Sequence, residues 1–217
     1  SRAPTLSDGV LTGTVERVRG AGDAELFVVI TGAASVVVLD ADRATVTAQE
    51  ALDLTGTSGT VSFDAVPATA IPADIAAAQR LWRLLLATDA VGVASRALAL
   101  AVDWAGQREQ FGRQIGSFQA VSHRCADMLV DAESARNQVL SAADTFDDLS
   151  VDLAAAQAVS AAVRNAEACI QVHGGIGFTW EHPAHLLLRR ALTDEASCAR
   201  TEHLRDTAAA RIFDRLG

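Results

Sequence analysis

Two short stretches combine side chains that can grip an anion with backbone that can open to a ligand. One is Arg108-Glu109-Gln110-Phe111-Gly112-Arg113-Gln114-Ile115-Gly116, followed by Ser117-Phe118-Gln119. The other is Gln171-Val172-His173-Gly174-Gly175-Ile176-Gly177-Phe178. The Arg108 guanidinium offers a planar fork of donors that matches a phosphate. Gln110, Gln119 and Gln171 supply neutral amides that both donate and accept. Phe111 offers a rigid apolar wall. Glycine takes positive φ without strain and lets a ligand approach the backbone. Plainer roles exist for each: Gly-Gly ends a helix, an arginine suits a helix C-terminus, and a phenylalanine fills a core.

Both stretches sit on a helical pattern, about sixty residues apart. Together they resemble the acyl-CoA dehydrogenase family. Its C-terminal helical domain carries Arg-x-x-Phe-Gly after the first helix and Gln-x-x-Gly-Gly-x-Gly-Phe after the third. The resemblance covers the chain, most strongly from about Ile71 onward. It implies an FAD-dependent oxidoreductase that dehydrogenates an acyl-CoA thioester. Arg108, Gln110, Phe111 and Gln119 match family positions that contact FAD held mainly by a neighbouring subunit. Gln171, Gly174 and Gly175 match positions at the adenosine-diphosphate end. The text around Thr179-Trp180-Glu181-His182 also resembles actinobacterial steroid and cholesterol side-chain enzymes, which are built from two different subunits. A bulky acyl-CoA substrate and a homo- or hetero-oligomer are therefore expected.

The elements that must hold these residues read as α+β: a partial antiparallel β-domain over 1–72, then a helical bundle over 73–217. Strands are expected at 10–15 after the Asp8-Gly9 turn signal, at 25–30 as a buried strand, at 35–40 paired with it, at 45–47 and at 59–64. Pro67 and Pro72 mark the exit from the sheet. Residues 73–107 read as one helix of about 50 Å, apolar nearly all round through 81–100 and so buried on several sides. The next helix, 118–146, places Val121, Cys125, Met128, Ala132, Ala135, Val139, Ala142 and Phe146 at spacings of three and four, a seam suited to bundle packing. A third helix over 151–172 carries Val159, Val163, Ala166 and Ile170 on one face. Helices at 183–192 and 201–216 complete the bundle. Trp180 reads as packing and His173 as a packed or capping residue without a chemical role. Asp144, Asp147 and Asp148 read as a solvated acidic turn; no metal site is expected.

The formal net charge is −9, from 18 basic and 27 acidic residues. No dense basic stripe appears, which argues against a nucleic-acid partner. The three cysteines, Cys125, Cys169 and Cys198, lack metal-ligand spacing and read as buried thiols of a cytoplasmic protein. No run of eighteen uncharged apolar residues and no signal segment is found, so no membrane partner is expected. The chain opens at Ser1-Arg2-Ala3-Pro4, inside the family's β-domain; a fragment or a shortened subunit is expected.

The family reaction needs a carboxylate base for the α-proton. Most relatives place a Glu before Gly-Thr, where this chain reads Ala196-Ser197-Cys198-Ala199-Arg200-Thr201. Asp194 and Glu195 are near but out of register. The alternative position, on the first long helix, falls on Trp82. Asp89 lies seven residues on, on the same apolar face, and is the one catalytic candidate. A carboxylate paired with Arg80, Arg83 or Arg96 would explain it equally well. The chain alone is therefore expected to be inactive. The alternative class is a non-catalytic structural or assembly subunit that completes a partner's FAD site.

Overall fold

The structure is a computed structural model and describes residues 3–198 and 201–216. The chain divides into two compact units, Ser1–Gln79 and Arg80–Gly217.

The first unit holds two antiparallel sheets. One runs β1 (Thr5–Ser7), β2 (Val10–Arg19), β6 (Ser58–Pro67) and β5 (Thr45–Ala48) in spatial order. The other joins β3 (Leu26–Gly32), β4 (Ser35–Asp40) and β7 (Ile71–Pro72). Asp8 and Gly9 both have positive φ, as the two-residue turn between β1 and β2 requires. Leu11, Val37, Val61 and Phe63 fill the core, with Phe27 edge-on to Phe63 at 6.4 Å. The 25–30 strand is not buried on both faces as expected. It alternates, with Phe27 and Val29 inward and Leu26, Val28 and Ile30 exposed. A strand with one covered face shows this period of two.

The second unit contains most of α1 (Ile75–Gln107), with α2 (Gln119–Thr145), α3 (Asp148–His173), α4 (Ala184–Ser197) and α5 (Thr201–Leu216). The seam on α2 packs as its spacing requires: Met128, Ala132, Ala135, Val139 and Ala142 are buried. Phe146 closes α2 in a left-handed conformation, φ 45°. The acidic turn is not a free solvated loop. Asp147 caps α3 by accepting from the Leu149 and Ser150 amides at 2.8 and 3.1 Å, and Asp148 accepts from Arg80 Nε at 2.9 Å. Such caps satisfy amides that the first helical turn leaves without partners.

α3 is the centre of the bundle, buried along almost its whole length. Alanines at its contacts let neighbouring helices approach closely. Buried Asn165 joins three helices, its amide donating to the Ala94 and Met128 carbonyls at 3.2 and 2.9 Å. α1 is long and apolar enough, by length and composition alone, to cross a membrane. Its packing accounts for that composition: Ala87, Ala90, Ala94, Ala97, Ala101 and Ala105 are buried within this chain. The opposite face leaves Leu81, Trp82, Leu85 and Val102 half-exposed. α4 runs to Ser197 rather than ending near Leu192. Ala199 and Arg200, from the segment where relatives place the base, lie outside the described residues.

Candidate functional site

The Arg108 stretch folds as a small hairpin off the end of α1. The Arg108 amide donates to the Trp104 carbonyl at 2.9 Å, and the Arg108 carbonyl accepts from the Ile115 amide at 2.8 Å. β8 (Glu109–Gln110) and β9 (Arg113–Gln114) pair across a turn made by Phe111 and Gly112. Both turn residues have positive φ, 54° and 75°. That geometry is routine for Gly112 and strained for Phe111. Phe111 is nevertheless 92% exposed, so it is not the core residue that composition alone favours. A large apolar side chain held out in a strained turn marks a surface built to meet something else.

Two ring stacks support the hairpin. Phe111 lies edge-on to Phe118 at 6.2 Å, and the Arg113 guanidinium sits 4.0 Å over the Phe118 ring. The Arg108 guanidinium sits 5.6 Å over the Trp104 ring. Trp104 in turn stacks on His173 at 5.2 Å and 23°. Neither Arg108 nor Arg113 forms an ion pair with a carboxylate among the described residues. Gln110 and Gln119 are exposed. Gln119 opens α2, just past the Phe118 cap.

The Gln171 stretch is where α3 ends. Gly174 has φ 66° and ψ −139°, and its amide donates to the Gln171 and Ile170 carbonyls. That conformation belongs to glycine, so Gly174 is required by the backbone itself. Gly177 is also structural, because a β-carbon there would lie 2.8 Å from the Ile170 carbonyl oxygen. Gly175 differs: a β-carbon added there meets nothing within 4 Å, and its φ is not in the left-handed region. Its missing side chain leaves open space that the fold does not need. Gln171 is exposed and lines a cleft of about 560 Å³ between α2 and α3, with His123, Arg124, Asp127 and Arg164.

The two stretches are brought together through Trp104 and His173. His173 is buried, with Nδ1 donating to the Cys169 carbonyl at 2.7 Å. His182 lies against it, ring centroids 4.1 Å apart. Burial first, then the charges of His173 and His185, lowers the His182 pKa. Trp180 is not packed inside as expected; it is 73% exposed, with His185 and Arg189 against its ring. The sequence held no signal for Trp104 beyond its place one turn before Arg108.

Asp89 does not join this group. It precedes Arg108 by nineteen residues, about 28 Å along the helix. It is held by Arg190 of α4, rather than by an arginine of α1 as expected, in a two-pronged pair at 2.8 and 2.9 Å among the described residues. Arg80 and Arg83 instead meet Asp148 and Asp152 on α3. Cys198 caps the end of α4 and is buried, its thiol pushed up to about 11 by burial. Cys169 is pushed up to about 12 for the same reason. Both are protonated, packed thiols at neutral pH.

Residues 74–213 match the acyl-CoA dehydrogenase C-terminal domain, and the chain belongs to the acyl-CoA dehydrogenase family. It is 49% identical over 133 residues to acyl-CoA dehydrogenase FadE34 of Mycobacterium tuberculosis, covering 58% of this chain and 19% of that protein. It is 45% identical over 111 residues to acyl-CoA dehydrogenase IpdE2 of the same organism, covering 50% and 34%. The chain thus spans a fifth to a third of these relatives. The ChsE4–ChsE5 complex from Mycobacterium tuberculosis superposes with a TM-score of 0.85 at 28% identity, over 97% of this chain and 62% of that one. A glutaryl-coenzyme A dehydrogenase shares the fold, with a TM-score of 0.90 at 22% identity, over 99% and 62%.

Proposed function

We propose that the chain is the C-terminal part of an FAD-dependent acyl-CoA dehydrogenase assembly, and that the hairpin and the end of α3 together form its flavin-binding face. The carrying observation is the hairpin. It presents Arg108 without a carboxylate partner among the described residues, beside exposed Gln110 and Phe111, over a Trp104 ring that stacks on His173, two residues before the open backbone at Gly175. These groups fit FAD. A dinucleotide diphosphate calls for an unneutralised guanidinium, sugar and ring edges call for amides, and a planar ring system calls for an apolar wall.

In this reading Arg108, Gln110, Phe111 and Gln119 touch FAD held mainly by a neighbouring subunit. Gln171, Gly174 and Gly175 border its adenosine-diphosphate end. FAD would supply the hydride acceptor for α,β-dehydrogenation of an acyl-CoA thioester. What this chain does is bind: Arg108 offsets phosphate charge, Phe111 excludes water, and the glutamine amides fix orientation. The resemblance of Thr179-Trp180-Glu181-His182 to actinobacterial steroid and cholesterol side-chain enzymes favours a bulky acyl group.

Replacing Arg108 with alanine is expected to weaken FAD binding by about 1.5–3 kcal/mol, or roughly 10–150-fold in Kd. Helical circular dichroism should be unchanged, because the residue lies past the last turn of α1. Unchanged FAD affinity in the native assembly would remove Arg108 from the site.

The half-exposed Leu81, Trp82, Leu85 and Val102 on α1 support association with a second subunit, identical or not. Light scattering at micromolar concentration should give a dimer or larger; a monomer would contradict this.

A second reading, a non-catalytic subunit that completes a partner's flavin site, is favoured by two observations. Asp89 is held by Arg190, and a buried thiol stands at the end of α4.

A further inference from the structure

We infer that Trp104 is the positioning residue of this face: it sets where the Arg108 guanidinium stands, and it does so from a ring clamped by the Gly-Gly end of α3. The inference rests on the flavin reading above and goes beyond it, since Trp104 itself is not proposed to touch FAD.

Arg108 is the first residue past α1, and its backbone is fixed on both sides, by Trp104 at the amide and Ile115 at the carbonyl. Its side chain has no ion pair with a carboxylate among the described residues. A free arginine at an exposed position samples many rotamers, and holding it for a ligand costs side-chain entropy. The indole face beneath the guanidinium, at 5.6 Å, restricts it without neutralising it. That distinction matters: a carboxylate partner would compete with a phosphate, whereas an aromatic face leaves all the N–H donors usable.

The indole is itself held. His173 stacks on it at 5.2 Å and 23°, and His182 lies 6.3 Å away. The His173 ring is fixed because Nδ1 donates to the Cys169 carbonyl one turn back on α3. Since a carbonyl only accepts, Nδ1 carries the proton. The close fit of the hairpin base adds to this: a β-carbon at Gly116 would stand 3.0 Å from the Ala105 carbonyl oxygen. Trp104 is thus the point through which the end of α3 fixes a cation on the hairpin, bringing the two separated stretches into one rigid face.

The test is a double-mutant cycle read by FAD titration of the deflavinated native assembly, using Trp104→Leu, Trp104→Phe, Arg108→Ala and the Leu/Ala double variant. Trp104→Leu should weaken FAD about 2- to 5-fold, the scale of an exposed cation–π contact. Trp104→Phe should recover part of that loss. In the Arg108→Ala background the leucine change should cost less than about 1.5-fold, because the residue it acts through is gone. Losses that simply add would make Trp104 a structural residue and overturn the inference. So would wild-type affinity in Trp104→Leu. If Trp104→Leu fails to fold, Trp104→Phe carries the cycle, with a weaker cation–π face and the ring stack kept. A weakened Phe variant in both backgrounds overturns the inference equally. The flavin reading fails separately, if Arg108→Ala binds FAD as wild type does or if the wild-type assembly binds none.

Discussion

Replacing Asp152 with alanine is expected to destabilise the helical unit by about 3–5 kcal/mol, the range for removing one partner of a buried ion pair. Asp152 is only 3% exposed, near the start of α3. It pairs with Arg83 of α1 at 2.8 Å and with Arg211 of α5. Asp148 adjoins the group, bound to Arg80 at 2.9 Å, to Arg83 at 3.4 Å and to Arg211 at 3.8 Å. Three helices thus meet on two carboxylates, and without Asp152 two partly exposed arginines lose their closer partner. Asp148 can take up part of the charge, which places the expected value toward the lower end. Asp152→Asn should cost less, because it keeps the shape and an acceptor. Urea unfolding followed at 222 nm measures the change; a loss below about 1 kcal/mol would mean that the cluster behaves like a surface pair.

Acid should loosen the same cluster. The Arg80 hydrogen bond, against some opposing burial, holds the Asp148 carboxyl below its ordinary 3.8. Its folded pKa is depressed, so its contribution is present above that value and is lost as pH falls through the folded pKa.

The second large effect concerns turnover. With FAD and no partner subunit, the chain is expected to dehydrogenate acyl-CoA thioesters about 10²–10⁴-fold more slowly than an assembly with a positioned general base. Cys198 stands at the end of α4 near where relatives carry a glutamate, and it is a buried, protonated thiol. The alternative position on α1 is Trp82. Asp89, the remaining candidate, is bound by both prongs of Arg190, and a carboxylate so engaged must break that pair to take a proton. Dye-linked assays of several thioesters should therefore show negligible turnover for the chain, unaltered in Asp89→Asn, and turnover once a partner supplies a carboxylate. Robust turnover by the chain that disappears in Asp89→Asn would name Asp89 as the base.

Local order was legible where spacing alone decides it. The α2 seam and the Asp8-Gly9 turn needed no distant information. The end of α4 was not legible, because Thr193, Asp194, Glu195 and Ser197 look like a polar exit. The helix absorbs them: the Thr193 hydroxyl donates to the Arg189 carbonyl at 2.9 Å, and the Ser197 hydroxyl to the Thr193 carbonyl at 2.7 Å. The partner of Asp89 was not legible either, since Arg190 is 101 positions away and three arginines on α1 itself looked nearer. At the site, residue types announced Arg108 and the glycines, but not which glycine the backbone requires. Gly174 and Gly177 are fixed by φ and by close packing, whereas Gly175 is free of both. Trp104 gave no sign because ring stacking across seventy residues leaves no local pattern.

That difference among the glycines makes the flavin content of Gly175→Val the most direct test of a flavin-binding face. Valine at this position meets no atom of the chain within 4 Å of its β-carbon and needs no left-handed backbone, so the bundle should form and keep its circular dichroism. The native assembly should purify with flavin absorbance in the wild type and with none in Gly175→Val. A folded Gly175→Val assembly that retains its full flavin would contradict the assignment and leave the glycines as nothing more than a helix stop.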